Sequence, residues 1–291
     1  MNLDSVWTIF RYRLVRYRGQ VLGWGIALAL YALLMVPFYS TIADQQEQFQ
    51  GLIDAYPKEI AVFVGGLDDL FSPTGYLDAY IFSYMALILG VFAVMVGSGL
   101  LVSDEESGRL DLIMAHPVSR SALYWGRLAA FSAATLAILA LLWLGLALPS
   151  RWTGLNVIGV GELALPLLSL FAVLALFGTL SLLLSLLLPS RRMAAMTACI
   201  LLVGSYFLPG LAALNADIEP IARLTPLWYY QSGDAIGDFN ITWFVGLIGA
   251  ALVFAMLAHW RFQRRDIRVG GEGGWQRPTR SRLSALLARK H

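Results

Sequence analysis

The sequence predicts an all-α integral membrane protein with six transmembrane helices, and three observations carry that prediction. Of 291 residues, 58% are hydrophobic before the 27 glycines are counted, and only 14% are charged. A soluble domain has about 45–50% apolar residues with glycine included and about 25% charged, so the excess must face lipid. Six stretches suffice for a hydrocarbon core that takes about 20 apolar residues to cross. They run 21–40, 79–102, 121–148, 163–188, 193–214 and 241–258. The third observation is the charge pattern along the chain. Of 21 basic residues, 18 fall on the N-terminus, alternate loops and the C-terminal tail; Lys58, Arg151 and Arg223 fall on the other side. The positive-inside rule then puts both termini in the cytoplasm of a multi-pass cell-membrane protein. A net charge of +2 is no nucleic-acid footprint, and the single cysteine, Cys199, excludes a disulfide scaffold.

In chain order, the basic segment 1–19 precedes a first span too long for a signal-peptide core, which makes it an uncleaved anchor. Residues 41–78 form an outer loop with seven acids against one lysine. Within it Phe49, Leu52, Ile53 and Tyr56 recur at helical spacing, predicting a short amphipathic helix on the outer surface. The third span holds Arg127, the only charge in any span, which is expected to snorkel to the interface. Pro37, Pro166 and Pro209 lie near span ends. Residues 215–240 form an outer loop or re-entrant segment whose Trp228-Tyr229-Tyr230 suits the headgroup belt. The tail 261–291 is basic and carries a flexible Gly-Gly-Glu-Gly-Gly run at 270–274.

Several chemistries lack their residues. Ion-coupled transporters place ionisable groups within their spans, and apart from Arg127 these spans have none. A P-loop needs Gly-Lys-Ser/Thr, and neither Lys58 nor Lys290 follows a glycine. Three histidines, His116, His259 and His291, form no metal-ligand spacing. An intramembrane serine hydrolase using Ser98 and His259 is an alternative that requires the two to converge. Gly97-Ser98-Gly99 otherwise reads as a close helix contact, and His259 as part of the basic inner collar.

Residues 103–120 are the most informative. Ser103 followed by Glu106 forms a capping box, and Asp104, Glu105 and Glu106 suit the positive end of a helix dipole. Leu110, Ile113 and Met114 make a short apolar stripe, Pro117 stops the helix, and Ser119 caps the next one. The spacing predicts a small cytoplasmic helix over 104–116 that docks in a partner's groove. A helix lying on lipid is the alternative, disfavoured by three acids facing an anionic leaflet.

At these residues the sequence resembles a family. Glu105, Glu106, Gly108, Leu110, Leu112, Pro117, Val118, Ser119 and Arg120 are similar to the first cytoplasmic loop of ABC type-2 permeases, the membrane subunits of ABC exporters. The segment 1–19 resembles that family's amphipathic elbow helix, Gly65-Gly66 through Gly75-Tyr76 the approach to its second span, and Leu224 through Tyr230 its Pro-aromatic segment. The resemblance implies a permease domain over 1–260 that forms a translocation path with a second permease chain, identical or related. It implies two separate ATPase subunits carrying the ATP and Mg, with no cofactor or catalytic residue in this chain. The helix at 104–116 becomes the coupling helix, with Glu105, Glu106 and Arg109 as polar contacts and Leu110, Ile113 and Met114 as apolar anchors. Arg109 departs from the Thr common in the family. Arg191 and Arg192 form a second cytoplasmic contact or a plain positive-inside anchor. A module that transmits force without passing a solute fits the same features. Trp24, Tyr31 and Phe38 at heptad spacing, with Phe82 and Phe92, are candidates to line a path for amphiphilic cargo, or packing surface.

Overall fold

Lipid offers no water to backbone N–H and C=O groups, so each apolar stretch satisfies them within itself as a helix. The computed structural model describes residues 3–45, 71–108 and 118–264. Among these are six helices long and apolar enough to cross a membrane: α1 (Leu3–Asp44), α2 (Pro73–Gly99), α4 (Arg120–Ser150), α5 (Glu162–Leu187), α6 (Arg191–Leu214) and α8 (Ile241–Arg264). Between them lie two short helices, α3 (Val102–Glu106) and α7 (Glu219–Ala222). No strand occurs among the described residues. The outer amphipathic helix expected around Phe49–Tyr56 and the tail beyond Arg264 lie outside them.

α1 differs from expectation. No separate elbow helix forms over 1–19; residues from Leu3 onward belong to one 42-residue helix. At about 1.5 Å per residue it is roughly twice as long as a hydrocarbon core is thick. Its early turns run along α4, because Gly126 has no side chain and lets the Val6 carbonyl within 2.9 Å of where a Cβ would stand. Further along the same parallel pair, the Ala29 carbonyl lies 2.5 Å from the Cβ position of Gly145. Small residues let backbones approach where no hydrophobic effect drives helices together.

α5 is the centre. Its most apolar window is 72% buried, against 22% for α1, α6 and α8. A helix apolar on every face has neighbours on every face. Gly178 of α5 receives the Phe131 ring of α4 on one side and opposes Gly97 of α2 on another, where an added Cβ would collide with the Gly178 carbonyl. Ser181 donates to the Val94 carbonyl at 2.8 Å and clips the same pair together.

α2 starts six residues earlier than the hydropathy suggests. Ser72 caps it by accepting from the Gly75 N–H at 3.0 Å, Pro73 opens it, and Asp78 lies inside the helix. Residues Asp78–Phe82 form a π-helical turn. The Tyr31 hydroxyl donates to the Tyr80 carbonyl at 2.5 Å, Tyr230 to the Phe82 carbonyl at 3.0 Å, and Tyr84 to the Ala79 carbonyl.

The segment 215–240 is a chain of short helical turns pinned into the bundle. Leu227 N–H donates to Ser205 at 3.0 Å, Gln231 N–H to Ser169 at 3.1 Å, and Gly233 N–H to Asp78 at 2.8 Å. Of the expected aromatic belt, Tyr230 instead turns its hydroxyl inward, and burial pushes its phenol above the usual range, with the Asp78 charge adding to it. Tyr229 packs edge-on against Trp243 at 5.7 Å.

Replacing Gly97 with Val forces α2 and α5 apart and is expected to cost about 1–3 kcal/mol or more. Gly204→Ala, with nothing within 4 Å of its Cβ position, is the neutral control. Monodisperse yield and melting temperature in detergent separate the two variants.

Candidate functional site

The start of α1, the end of α2, α3 and the starts of α4 and α6 gather at one end of the bundle, the arginine-rich one. α8 ends there too, where Arg120 donates to the Phe262 carbonyl at 3.4 Å. The site is built on α3. Asp104 is only 3% exposed, and its Oδ2 lies 2.7 Å from Arg127 Nη2 and 3.6 Å from Arg13 Nη1. Arg127, also 3% exposed, donates its Nη1 to the Leu100 carbonyl at 2.8 Å. Arg13 stacks over the Tyr17 ring one turn on and donates to its hydroxyl at 3.3 Å.

This corrects the expectation that Arg127 snorkels. A guanidinium in a span needs an anion and acceptors, and the chain returning from α2 supplies both within reach, so the side chain stays inside. One carboxylate thereby joins three elements: α1 through Arg13, α4 through Arg127, and its own α3. The pair was legible only as a question. A lone arginine in a span demands a partner, and Asp104 is an acid close to the end of the preceding span.

The capping box is also corrected. α3 starts at Val102, so Ser103 lies within it and does not cap it. The helix ends at Glu106; Ser107 turns to donate to the Ser103 carbonyl at 2.9 Å, and Gly108 adopts a left-handed φ of +67°. That conformation suits glycine and terminates a helix, so α3 does not continue unbroken past Glu106, and the rest of the helix expected over 104–116 lies outside the described residues. Ser119 does cap α4, accepting from the Ala122 N–H at 3.1 Å.

The remaining candidates fall as follows. Glu106 is exposed, while Glu105 is buried inside the fold. Arg109, Leu110, Ile113, Met114 and Pro117 lie outside the described residues. Arg191 is half-buried across Gly99, and Arg192 is exposed. Trp24 meets Phe92 at 6.1 Å between ring centres; Phe82 is fully enclosed, and Phe38 is 54% exposed. The Ser98 hydroxyl is sealed in the bundle and donates to the Met95 carbonyl at 3.1 Å. His259 Nε2 instead lies 3.2 Å from both Ser121 Oγ and Gln263 Nε2. The two form no nucleophile–base hydrogen bond.

A family model described as "ABC-2 family transporter protein" matches residues 17–267. No curated protein matches the chain.

Arg127→Met removes the shorter of the two ion pairs to the buried Asp104 and is expected to destabilise by about 3–5 kcal/mol. Pairing it with Asp104→Leu removes both charges and recovers part of that loss. Melting temperatures of the single and double variants check this; equal losses in both would mean that the charges themselves are not what the fold needs.

Proposed function

The chain belongs to the ABC-2 transporter family, of which it is a membrane permease subunit, and from that premise we propose that it forms the export path of an ATP-driven transporter. It works with a second permease chain, a copy or a relative, and each of the two takes one ATPase subunit at its cytoplasmic face. ATP and Mg are bound and hydrolysed on those partners. Both termini lie in the cytoplasm of the cell membrane, a reading supported by the 18-to-3 division of basic residues.

The observation that carries this reading is the anchoring of α3. Asp104 ties it to Arg127 of α4 and Arg13 of α1 at once. Separating a buried pair of this kind costs about 3–5 kcal/mol, so a push on residues 103–120 moves two spanning helices and does not merely flex a loop. The exposed Glu106, with Gly108, Arg109, Leu110, Ile113, Met114 and Pro117, makes the docking contact, and Arg192 adds a secondary one. ATP-driven closure of the partners is then transmitted through α3 to switch access from one face of the membrane to the other.

The test is a detergent pull-down of the tagged full chain from its native membrane. A P-loop ATPase co-purifying in near-equal amount supports the reading, and a chain that purifies alone overturns it. Replacing Leu110 and Met114 together with Asp is expected to weaken ATPase retention by about tenfold or more while the spans keep their melting temperature. Unchanged retention and coupled activity would remove the docking assignment. Ser98→Ala is expected to leave assembly and coupled activity unchanged, and its complete inactivation with normal assembly would favour a hydrolase. Solute flux in sealed vesicles distinguishes export from force transmission.

A further inference from the structure

At the arginine-rich end, walled by α1, the last turns of α2, α3 and the start of α6, lies a cavity of about 430 Å³. Arg13, Arg16 and Arg191 line it, Gln20 and Ser103 add polar groups, and the lining contains no carboxylate. Asp104 is committed to Arg127 at 2.7 Å and lies farther, 3.6 Å, from Arg13. Arg16 and Arg191 make no ion pair among the described residues. Positive charge therefore accumulates around an open space.

Two further observations say what that space takes. Arg191 and Arg192 open α6, where the helix dipole disfavours cations, and Gly99 keeps room for Arg191, whose Cζ and Nε lie 3.2 Å from the Cβ position. An anion between Arg191 and α1 offsets both repulsions. Beside Tyr17, Gly19 and Gly99, the α2 side of the wall is apolar, formed by Met95 and Val96. Met95 is 57% exposed and continues a stripe with Val91 and Ile88, 36% and 38% exposed, along one face of α2 toward the middle of the membrane.

We propose that this cavity binds the phosphate headgroup of an anionic phospholipid, with its acyl chains along Met95, Val91 and Ile88. Guanidinium groups take phosphate oxygens in bidentate pairs, and Gln20 and Ser103 have donors for the remaining oxygens. The arginines stand at the depth where the apolar span ends, which is where a headgroup lies. Once bound, the lipid neutralises the repulsion among Arg13, Arg16 and Arg191 and ties α1 to α6 beside α3. This goes beyond the export reading and does not depend on it.

The experiment reconstitutes the full chain in phosphatidylcholine nanodiscs containing a minor fraction of phosphatidylglycerol and reads the lipid retained by native mass spectrometry after release into detergent. The variants are Arg16→Gln, Arg191→Gln and the double; Arg192→Gln, outside the cavity, is the control. Selective retention of phosphatidylglycerol is expected, falling about tenfold for each cavity arginine lost and unchanged in the control, with all melting temperatures alike. Inorganic phosphate is expected not to displace the lipid. Equal retention in the double variant, an equal loss in the control, or displacement by inorganic phosphate would overturn the proposal; the last would assign the site to a free phosphate compound.

Discussion

A guanidinium placed inside a membrane span must be satisfied there, and the bond from Arg127 to Asp104 meets that requirement. Much of the arginine-rich end depends on it. The carboxylate has to sit at the level of α4's second turn, so α2 must end nearby and the chain must fold back at once as α3. The Leu100 carbonyl, freed at that reversal, takes the second donor of Arg127. Arg13 approaches the same carboxylate from α1 and thereby aligns the first helix along α4. A buried pair of this kind adds little net stability over an apolar substitute, but it penalises every arrangement that separates its members. Its contribution is to specify where these elements meet.

The bundle around this point is graded from a closely packed centre to a sparsely covered periphery. α5 is enclosed, and its contacts to α2 and α4 are made at Gly97, Gly178 and Phe131, where backbone and ring leave no room for another methyl group. Packing of that kind resists gradual deformation. α1, α6 and α8 instead present most of their apolar residues outward. Movement in such a bundle is easiest where outer helices slide against the centre, and α1, held at its start by Arg13, is both peripheral and anchored to α3.

The two ends of the molecule solve opposite electrostatic problems. At one end arginines outnumber the acids among them, and the excess surrounds a cavity. At the other, Asp78 is absorbed by the N–H of Gly233 and the hydroxyl of Ser232. Tyrosines from α1, from α2 itself and from the segment before α8 supply hydroxyls to the carbonyls of the π-helical turn. That turn departs from the regular helical ladder, and its carbonyls are satisfied from three separate parts of the chain. Apolar surroundings make such satisfaction obligatory, which explains why residues 215–240 are pinned into the bundle.

Composition and periodicity are local properties, and what depends on them was legible in the sequence: an all-α membrane protein, the number and approximate limits of its spans, the Ser119 cap, prolines near span ends, and a loop after the second span that resembles ABC type-2 permeases. The sequence alone misjudged Arg127, Ser103, the independence of residues 1–19 and the start of α2. Ser103 is a local matter, since α3 starts one residue earlier at Val102; in the other three cases the outcome depends on a partner distant in the chain. Arg127 is held by an acid 23 positions earlier across a reversal, residues 3–19 follow α4 because Gly126 admits them, and Asp78 enters the helix because Ser232 and Gly233 receive it. Hydropathy counts how much of a segment prefers lipid to water; only tertiary packing decides which polar group faces which. In a medium without water, those pairings determine where each polar side chain comes to rest.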